Sequence, residues 1–414
     1  MDQSVDSGAG EGLVGQSAQH IGNQAHLVGD DVVGHQTQLG LAAGQNAVFL
    51  VLHDSHGDVG ALRAGTAGGG NSDDVLLVDH GEALEVQVVD GVGTLAAQQF
   101  AHIHDDAIPY DSYDRVIAVG GGAIMDLCKL LGCQRPDTVH NLYFKRFPVV
   151  PEKEVIAIPT TCGTGSEVTN ISVAIVKDEK DGVLTGRETK LGLVSDDIIP
   201  TKVCLVPDLL KTLPYKPFAC SAIDALVHAT ESFLSPHRKT ITSELFSEKA
   251  MDMILKGFKL IDEKGQDARF EYMLEFVTAS FYAGIAFLKA GCGPVHGMSF
   301  PLGGTYHVPH GESNYMLFGA IMSYYDAKNP TGEILKFKEM VARILGCSVE
   351  NAIPEMNALL QRILPLRPLR DCGFTEEDFK AFPLSVEANQ QRLMTNAYYP
   401  FELADIENIY RACY

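Results

Sequence analysis

Val116-Ile117-Ala118-Val119-Gly120-Gly121-Gly122 is the stretch on which the reading of the fold turns. Four apolar residues, three of them β-branched, favour a buried strand, and the glycines end it abruptly. Ala123 to Leu131 then carries a helical pattern. A strand that ends in glycines at a helix N-terminus aims bare N–H groups outward, and such groups suit a phosphate. Glycines also end strands for steric reasons alone, so the motif needs company. Val155-Ile156-Ala157-Ile158 is a second buried-type strand, and it runs into Pro159-Thr160-Thr161-Cys162-Gly163-Thr164-Gly165-Ser166-Glu167. That loop joins small hydroxyls to glycines and suits a diphosphate or a nicotinamide ribose; an ordinary capped turn is the plainer reading. Further strands are expected at Val173 to Val176 and Val203 to Val206, giving a Rossmann-like α/β unit with a parallel sheet.

Beyond about Asp208 the texture turns helical. Phe246, Ala250, Met253, Ile254, Phe258 and Ile261 recur at steps of three and four, as a core-facing stripe does. Similar periods run from Ile334 to Ile344, Asn351 to Leu364 and Ile406 to Cys413. Within this region Asp224 and His228 lie four apart in a helical stretch from Ile223 to Phe233, so both project from one face. His296 in Val295-His296-Gly297 and His310 in Pro309-His310-Gly311 sit beside glycine or proline at the edges of apolar runs. A lone histidine in such a place is ordinarily a core or surface residue. One carboxylate and three imidazoles together form a donor set suited to a divalent first-row metal. The expected architecture is an α/β dinucleotide-binding domain over residues 107–208, Rossmann-like but incomplete, followed by an all-α metal-binding domain over 209–414, with the site in the cleft between them.

Composition sets outer bounds. The chain has 414 residues, 46% of them hydrophobic and 21% charged, which is room for two ordinary globular cores. A net charge of -21 argues against nucleic acid and anionic membrane as partners. Nine scattered cysteines, never spaced as CxxC, suit free thiols in a reducing cytoplasm. The chain opens without a secretory signal and contains no apolar run of the roughly 18 to 20 residues a spanning helix needs. A cytoplasmic homo-oligomer acting on a small molecule is expected.

Residues 1–106 break this pattern. They hold one basic residue, Arg63, against fifteen acidic ones, with 18 of the 40 glycines, eight of the 14 histidines and no Lys, Pro, Tyr or Cys. An acidic tail, an unusual folded region and a stretch with a wrongly assigned start or frame all fit. The abruptness of the shift favours the last, and the weak periodicity predicts poor order or loose packing.

GGGAIMDLCK, PTTCGTGSEVTN, DALVH and VHGMSFPLGGTYHVPHGESN, in this order, resemble the iron-containing (group III) alcohol dehydrogenases. LPYKPF, RPLRDCGF and QQRLMTNAYYPF bring the likeness nearest to the members that oxidise a four-carbon ω-hydroxy acid. The resemblance spans roughly residues 110 to 414. It implies NAD as cofactor and a divalent ion, iron with zinc as the alternative, held by Asp224, His228, His296 and His310. It further implies dinucleotide contacts from Gly120, Gly121, Gly122, Asp126, Thr160, Thr161, Thr164 and Ser166, and a lysine near the nicotinamide ribose at Lys190. Two departures stand out. Many family members have a histidine four residues after the first HG motif, where this chain has Phe300, which leaves His307 as the candidate base. Residues 1–106 carry no likeness to the family's first βαβ units, which normally read the adenosine ribose. The far carboxylate of such a substrate needs a cation, for which Lys289 and His307 are the candidates. The alternatives are a general primary alcohol dehydrogenase, a lyase of the dehydroquinate-synthase type, which would call for many basic residues, and a metal-binding chain impaired by half a cofactor site.

Overall fold

The computed structural model describes residues 110, 113–134, 139–180 and 183–414, and upstream of these six short strands. Those are β1 (Ala25–Leu27), β2 (Val48–Leu52), β3 (Arg63–Thr66), β4 (Val75–Asp79), β5 (Glu82–Ala83) and β6 (Val86–Val88). For these strands, and for 175–180 and 183–190, the backbone alone is described. The expectation of poor order across residues 1–106 therefore falls outside the described residues.

The glycine-terminated strand forms as expected. β7 (Arg115–Gly120) and β8 (Glu154–Pro159) pair in parallel, Val116 opposite Val155 and Val119 opposite Ile158, and β11 (Lys202–Leu205) adds in parallel on the far side of β8. Ile117, Ala118 and Ala157 are fully buried, as strands covered on both faces must be. β1 extends the sheet in parallel beside β11, whereas β2 lies antiparallel on β7, Leu50 opposite Ile117. A parallel neighbour was expected there. An antiparallel one satisfies the same ladder without a crossover helix.

Val173 to Val176 does not join this sheet. It belongs to β9 (Ile171–Lys180), which folds back on β10 (Val183–Val194) as a separate antiparallel hairpin. In the sequence Asp-Gly follows β9, a pair favoured in two-residue hairpin connections, and the hairpin breaks the strand–helix alternation at this point.

α1 (Gly122–Leu131) leaves β7 directly and packs under the sheet; α2 (Val139–Tyr143) follows. After β11 the chain is helical: α3 (Tyr215–Leu234), α4 (Ile241–Lys264), α5 (Met273–Ala290), α6 (Pro294–Tyr306), α7 (His310–Lys328), α8 (Gly332–Leu345), α9 (Ala352–Ile363), α10 (Asp378–Asn389), α11 (Gln391–Met394) and α12 (Leu403–Ala412). α3 is the axis of this bundle, touching α4, α5 and α7, with Phe218, Ala219, Ile223, Leu226 and Val227 fully buried. Its start at Tyr215, two turns before the apolar period becomes visible, follows from Pro214 and Pro217, which a first helical turn tolerates. The stretch Gln266–Ala290 is long and apolar enough to cross a membrane by length and composition, and 72% of its most apolar 18 residues are buried, as in a core helix.

The break between α6 and α7 matters most for the site. His307 ends α6 in the left-handed region with φ 53°. Val308 precedes Pro309, which disfavours a helical conformation at Val308, and the chain restarts as helix at His310. His296 and His310 therefore both lie in first helical turns, while Asp224 and His228 come from the middle of α3.

Candidate functional site

The structure brings Asp224, His228, His296 and His310 together, with one potential ligand atom from each within 4.8 Å of all the others. Asp224, His228 and His296 are almost wholly buried. His310 keeps 37% of its side chain exposed. Nε2 of His228 and Nε2 of His296 stand 3.0 Å apart, and their rings stack at 4.6 Å between centroids. On its other side His228 stacks on Phe287, also at 4.6 Å.

The remaining ring nitrogens decide what the cluster can hold. Nδ1 of His228 lies 3.1 Å from the carbonyl oxygen of Gly163, and Nδ1 of His296 lies 2.6 Å from Oε2 of Glu231. The Gly163 carbonyl can only accept, and Glu231 also accepts two backbone N–H bonds, so each Nδ1 donates and Nε2 of each ring is turned toward the cluster. Two ring nitrogens 3.0 Å apart call for a proton or a metal cation between them. Burial pushes the imidazolium of His228 down to about 4, so its ring is neutral at physiological pH. Burial alone would raise the carboxyl of Asp224, but His228, His310, His296 and the amide of Asn314 outweigh it and hold it below its ordinary value. The donor set is one carboxylate and three imidazoles, which fits a divalent ion.

Two residues absent from the sequence reading support these donors. Glu231, one turn beyond His228 on α3, accepts backbone N–H bonds from Gly293 and Val295 as well as the imidazole of His296. It thus fixes both the first turn of α6 and the ring it carries. Asn314, fully buried on α7, donates from Nδ2 to Oδ1 of Asp224 at 2.7 Å.

The glycine loops meet this cluster from the sheet side. A Cβ on Gly122 would lie 2.8 Å from Cγ2 of Thr164, so the two loops touch. Gly163 is closed in by Ser221 on α3, whose carbonyl would stand 2.4 Å from an added Cβ. Gly165 takes φ +60° where it meets Gly284 of α5. The loop from Thr160 to Ser166 is therefore clamped on the helical bundle, with the Gly163 carbonyl on a donor histidine. Thr160, Thr161, Thr164, Gly121 and Gly122 are part-exposed along this edge, and among the described residues no side chain caps the N-terminus of α1. Its first N–H groups are open to a phosphate.

Other expected contacts fall elsewhere. Oδ1 of Asp126 accepts from Oγ of Ser166 at 2.5 Å and Oδ2 from the N–H of Val173 at 2.9 Å, so Asp126 and Ser166 brace the loop from behind. Lys129, buried beside them, bonds Asp126, Thr169 and the carbonyl of Ile171. The backbone of Lys190 pairs with Ile175 in the hairpin, and its side chain lies outside the described residues. His307 is exposed at the helix corner and takes no part in the donor cluster; Lys289 is likewise exposed. Phe300 lies 6.2 Å from His310, ring centroid to centroid, and gives the site an apolar wall there.

A nucleotide edge clamped onto an ion site of three histidines and one aspartate is the construction of a metal-assisted dehydrogenase, and sequence comparison agrees. The signature of the iron-containing alcohol dehydrogenases matches residues 76–207, and that of the C-terminal part of the Fe-containing alcohol dehydrogenase family matches residues 218–414. The chain belongs to the iron-containing alcohol dehydrogenase family. The match from residue 76 starts inside the segment set apart by composition, so the likeness reaches further upstream than expected.

Among individual proteins, the chain is 45% identical over 324 residues to 4-hydroxybutyrate dehydrogenase of Clostridium kluyveri, covering 78% of this chain and 85% of that one. It is 33% identical to lactaldehyde reductase of Escherichia coli over 65% of this chain and 69% of the other. Its fold is similar to 1,3-propanediol oxidoreductase, with a TM-score of 0.64 and 26% identity over 73% of this chain and 78% of that one. A sulfoacetaldehyde reductase of Bifidobacterium kashiwanohense in complex with NAD+ gives 0.63 and 25%, over 73% and 76%.

Proposed function

We propose that the chain interconverts 4-hydroxybutyrate and succinate semialdehyde with NAD(H). The observation that carries the chemistry is the hydrogen bond from His228 to the carbonyl of Gly163, which ties the cofactor loop to the ion site at a fixed distance. The substrate is supported by the 45% identity to the Clostridium kluyveri enzyme over most of both chains. Residues 107–208 hold the cofactor through Gly120, Gly121, Gly122, Thr160, Thr161 and Thr164, and residues 209–414 hold the ion.

When bound, the divalent ion supplies Lewis acidity toward the substrate oxygen and the nicotinamide takes up hydride from the adjacent carbon. Asp224, His228, His296 and His310 hold the ion. Phe287 and Phe300 exclude water around them, which strengthens every charge interaction inside. The part-exposed His310 marks the side open to substrate and solvent, where water would take the hydroxyl proton. The nine cysteines, all unpaired, support a reducing cytoplasm, and we assign the working form to a homo-oligomer.

The test pairs variants with a substrate series. His296→Ala and His310→Ala should remain folded and lose both ion and turnover, because one ligand in four is gone. A variant with full ion content and full turnover sinks the assignment. Among short primary alcohols and hydroxy acids, 4-hydroxybutyrate should give the highest kcat/KM, since a site built for a carboxylate leaves buried polar groups unpaired without one. Equal use of 1-butanol would make the enzyme a general primary alcohol dehydrogenase.

A further inference from the structure

Asn314 sits at the centre of the donor cluster without being a ligand of the usual kind. Its Nδ2 is 2.7 Å from Oδ1 of Asp224, 3.1 Å from Nε2 of His296 and 3.3 Å from Nε2 of His310. The amide orientation is fixed from behind, because Oγ of Ser299 stands 2.5 Å from Oδ1 of Asn314 and donates to it. With Oδ1 taken, both N–H bonds face the cluster: one reaches Asp224 and the other points between His296 and His310. Ser299 and Asn314 are both fully buried, so neither has water as an alternative partner.

The structure assigns Asn314, locked by Ser299, as the positioning residue of the ion site: a neutral double donor that aims Asp224 throughout and, until the ion takes their Nε2 atoms, holds the α6 and α7 histidines in register. The assignment rests on the reading that the four donors share one ion. Charge explains the choice of an amide. A lysine here would repel the ion, and an aspartate would compete as a further anionic ligand and lower the net positive charge that polarises substrate oxygen. An amide orients the carboxylate and leaves the charge of the site unchanged. It also reaches one atom of each of three donors before the ion arrives, so the site is formed in advance.

The full chain, stripped of metal and loaded with Co2+, gives the test. Its ligand-field absorption reports ligand geometry, and its rate of removal by EDTA reports retention, both independently of turnover. In Asn314→Ala the Co2+ bands should shift and removal should quicken by roughly 10- to 100-fold, the usual cost of losing an outer partner of a metal ligand. Ser299→Ala keeps the amide but frees it to turn, so it should move both readouts the same way by less. It also guards against a misfolded Asn314→Ala. KM for NAD should stay at its starting value in both while kcat falls. Folded variants with wild-type bands and wild-type removal rates would overturn the role of Asn314 alone. A wild-type chain that takes up no Co2+ would overturn the shared ion site as well.

Discussion

Glu231 is not one of the four clustered donors, yet it fixes the first turn of α6 and the ring of His296 through three hydrogen bonds. Glu231→Gln keeps the shape but swaps one acceptor oxygen for a donor, which must then face an N–H. Ion affinity should fall by roughly 10- to 100-fold with little change in fold, measurable as Zn2+ or Co2+ content after dialysis. His307 invites the opposite experiment. Asparagine tolerates the left-handed conformation, so His307→Asn should retain stability and most of its turnover, whereas His307→Val should cost about 1–3 kcal/mol of backbone strain. A hundredfold loss of turnover in His307→Asn, with its pH profile altered, would instead make it the base. Glu167, buried behind the cofactor loop, is pushed up to about 7 by burial. In the unfolded chain it ionises at ordinary carboxylate values, so between roughly pH 4.5 and 7 the folded protein retains a proton that the unfolded one releases. Its contribution is therefore full in acid and is lost as pH rises through that window. Glu167→Gln should flatten the fall in Tm between pH 5 and 8, and an unchanged slope would show that the carboxyl ionises freely. The four ion donors were legible because each stands at helical spacing or beside glycine or proline. Glu231, Ser299 and Asn314 were not, because nothing in their spacing distinguishes them from any polar residue on a helix.

At the scale of elements, the loop from Thr160 to Ser166 does two jobs, and its glycines separate them. Gly122→Ala forces a Cβ onto Thr164, so the loops part and NAD binding weakens. The ion should stay, and the readout is a raised KM for NAD with unchanged metal content. Gly163→Ala meets the backbone of Ser221, which cannot yield as a side chain can, so the carbonyl on His228 must move. Both NAD affinity and ion retention should drop. The strands flanking this loop were readable because β-branched runs bounded by glycine have few other fates. The β9–β10 hairpin was masked by that same expectation of alternation, although Asp181-Gly182 carries its signal. The early start of α3 was hidden because Tyr215 to Ala219 lacks the apolar period, being held by prolines and tertiary packing instead.

For the whole molecule, the bond between Gly163 and His228 makes cofactor and ion binding one thermodynamic system. Whatever factor NAD contributes to ion affinity, the ion must return to NAD. Saturating NAD should therefore lengthen the half-time of metal removal by a chelator, and metal loading should lower the Kd for NAD in the same ratio at equilibrium. Removal rates indifferent to NAD would mean two independent sites on one chain. The division into a sheet-bearing part and a helical part was plain in the sequence, since short β-branched runs ending at glycine or proline and long apolar stripes at steps of three and four scarcely overlap. The pairing of the sheet was not, because the same apolar residues of β7 accept a parallel or an antiparallel neighbour, and the choice is made by chain segments far away.

The four donors enter from α3, α6 and α7, segments that are brought together only by the completed bundle. A bound ion is for that reason also a cross-link, present in the folded chain and missing from the unfolded one, and its binding energy adds to the resistance of the protein to unfolding. Iron supply would then govern how long each copy survives proteolysis as well as how fast it turns over. A cell short of the metal would hold fewer molecules of this enzyme, and its capacity would fall more steeply than ion occupancy alone dictates.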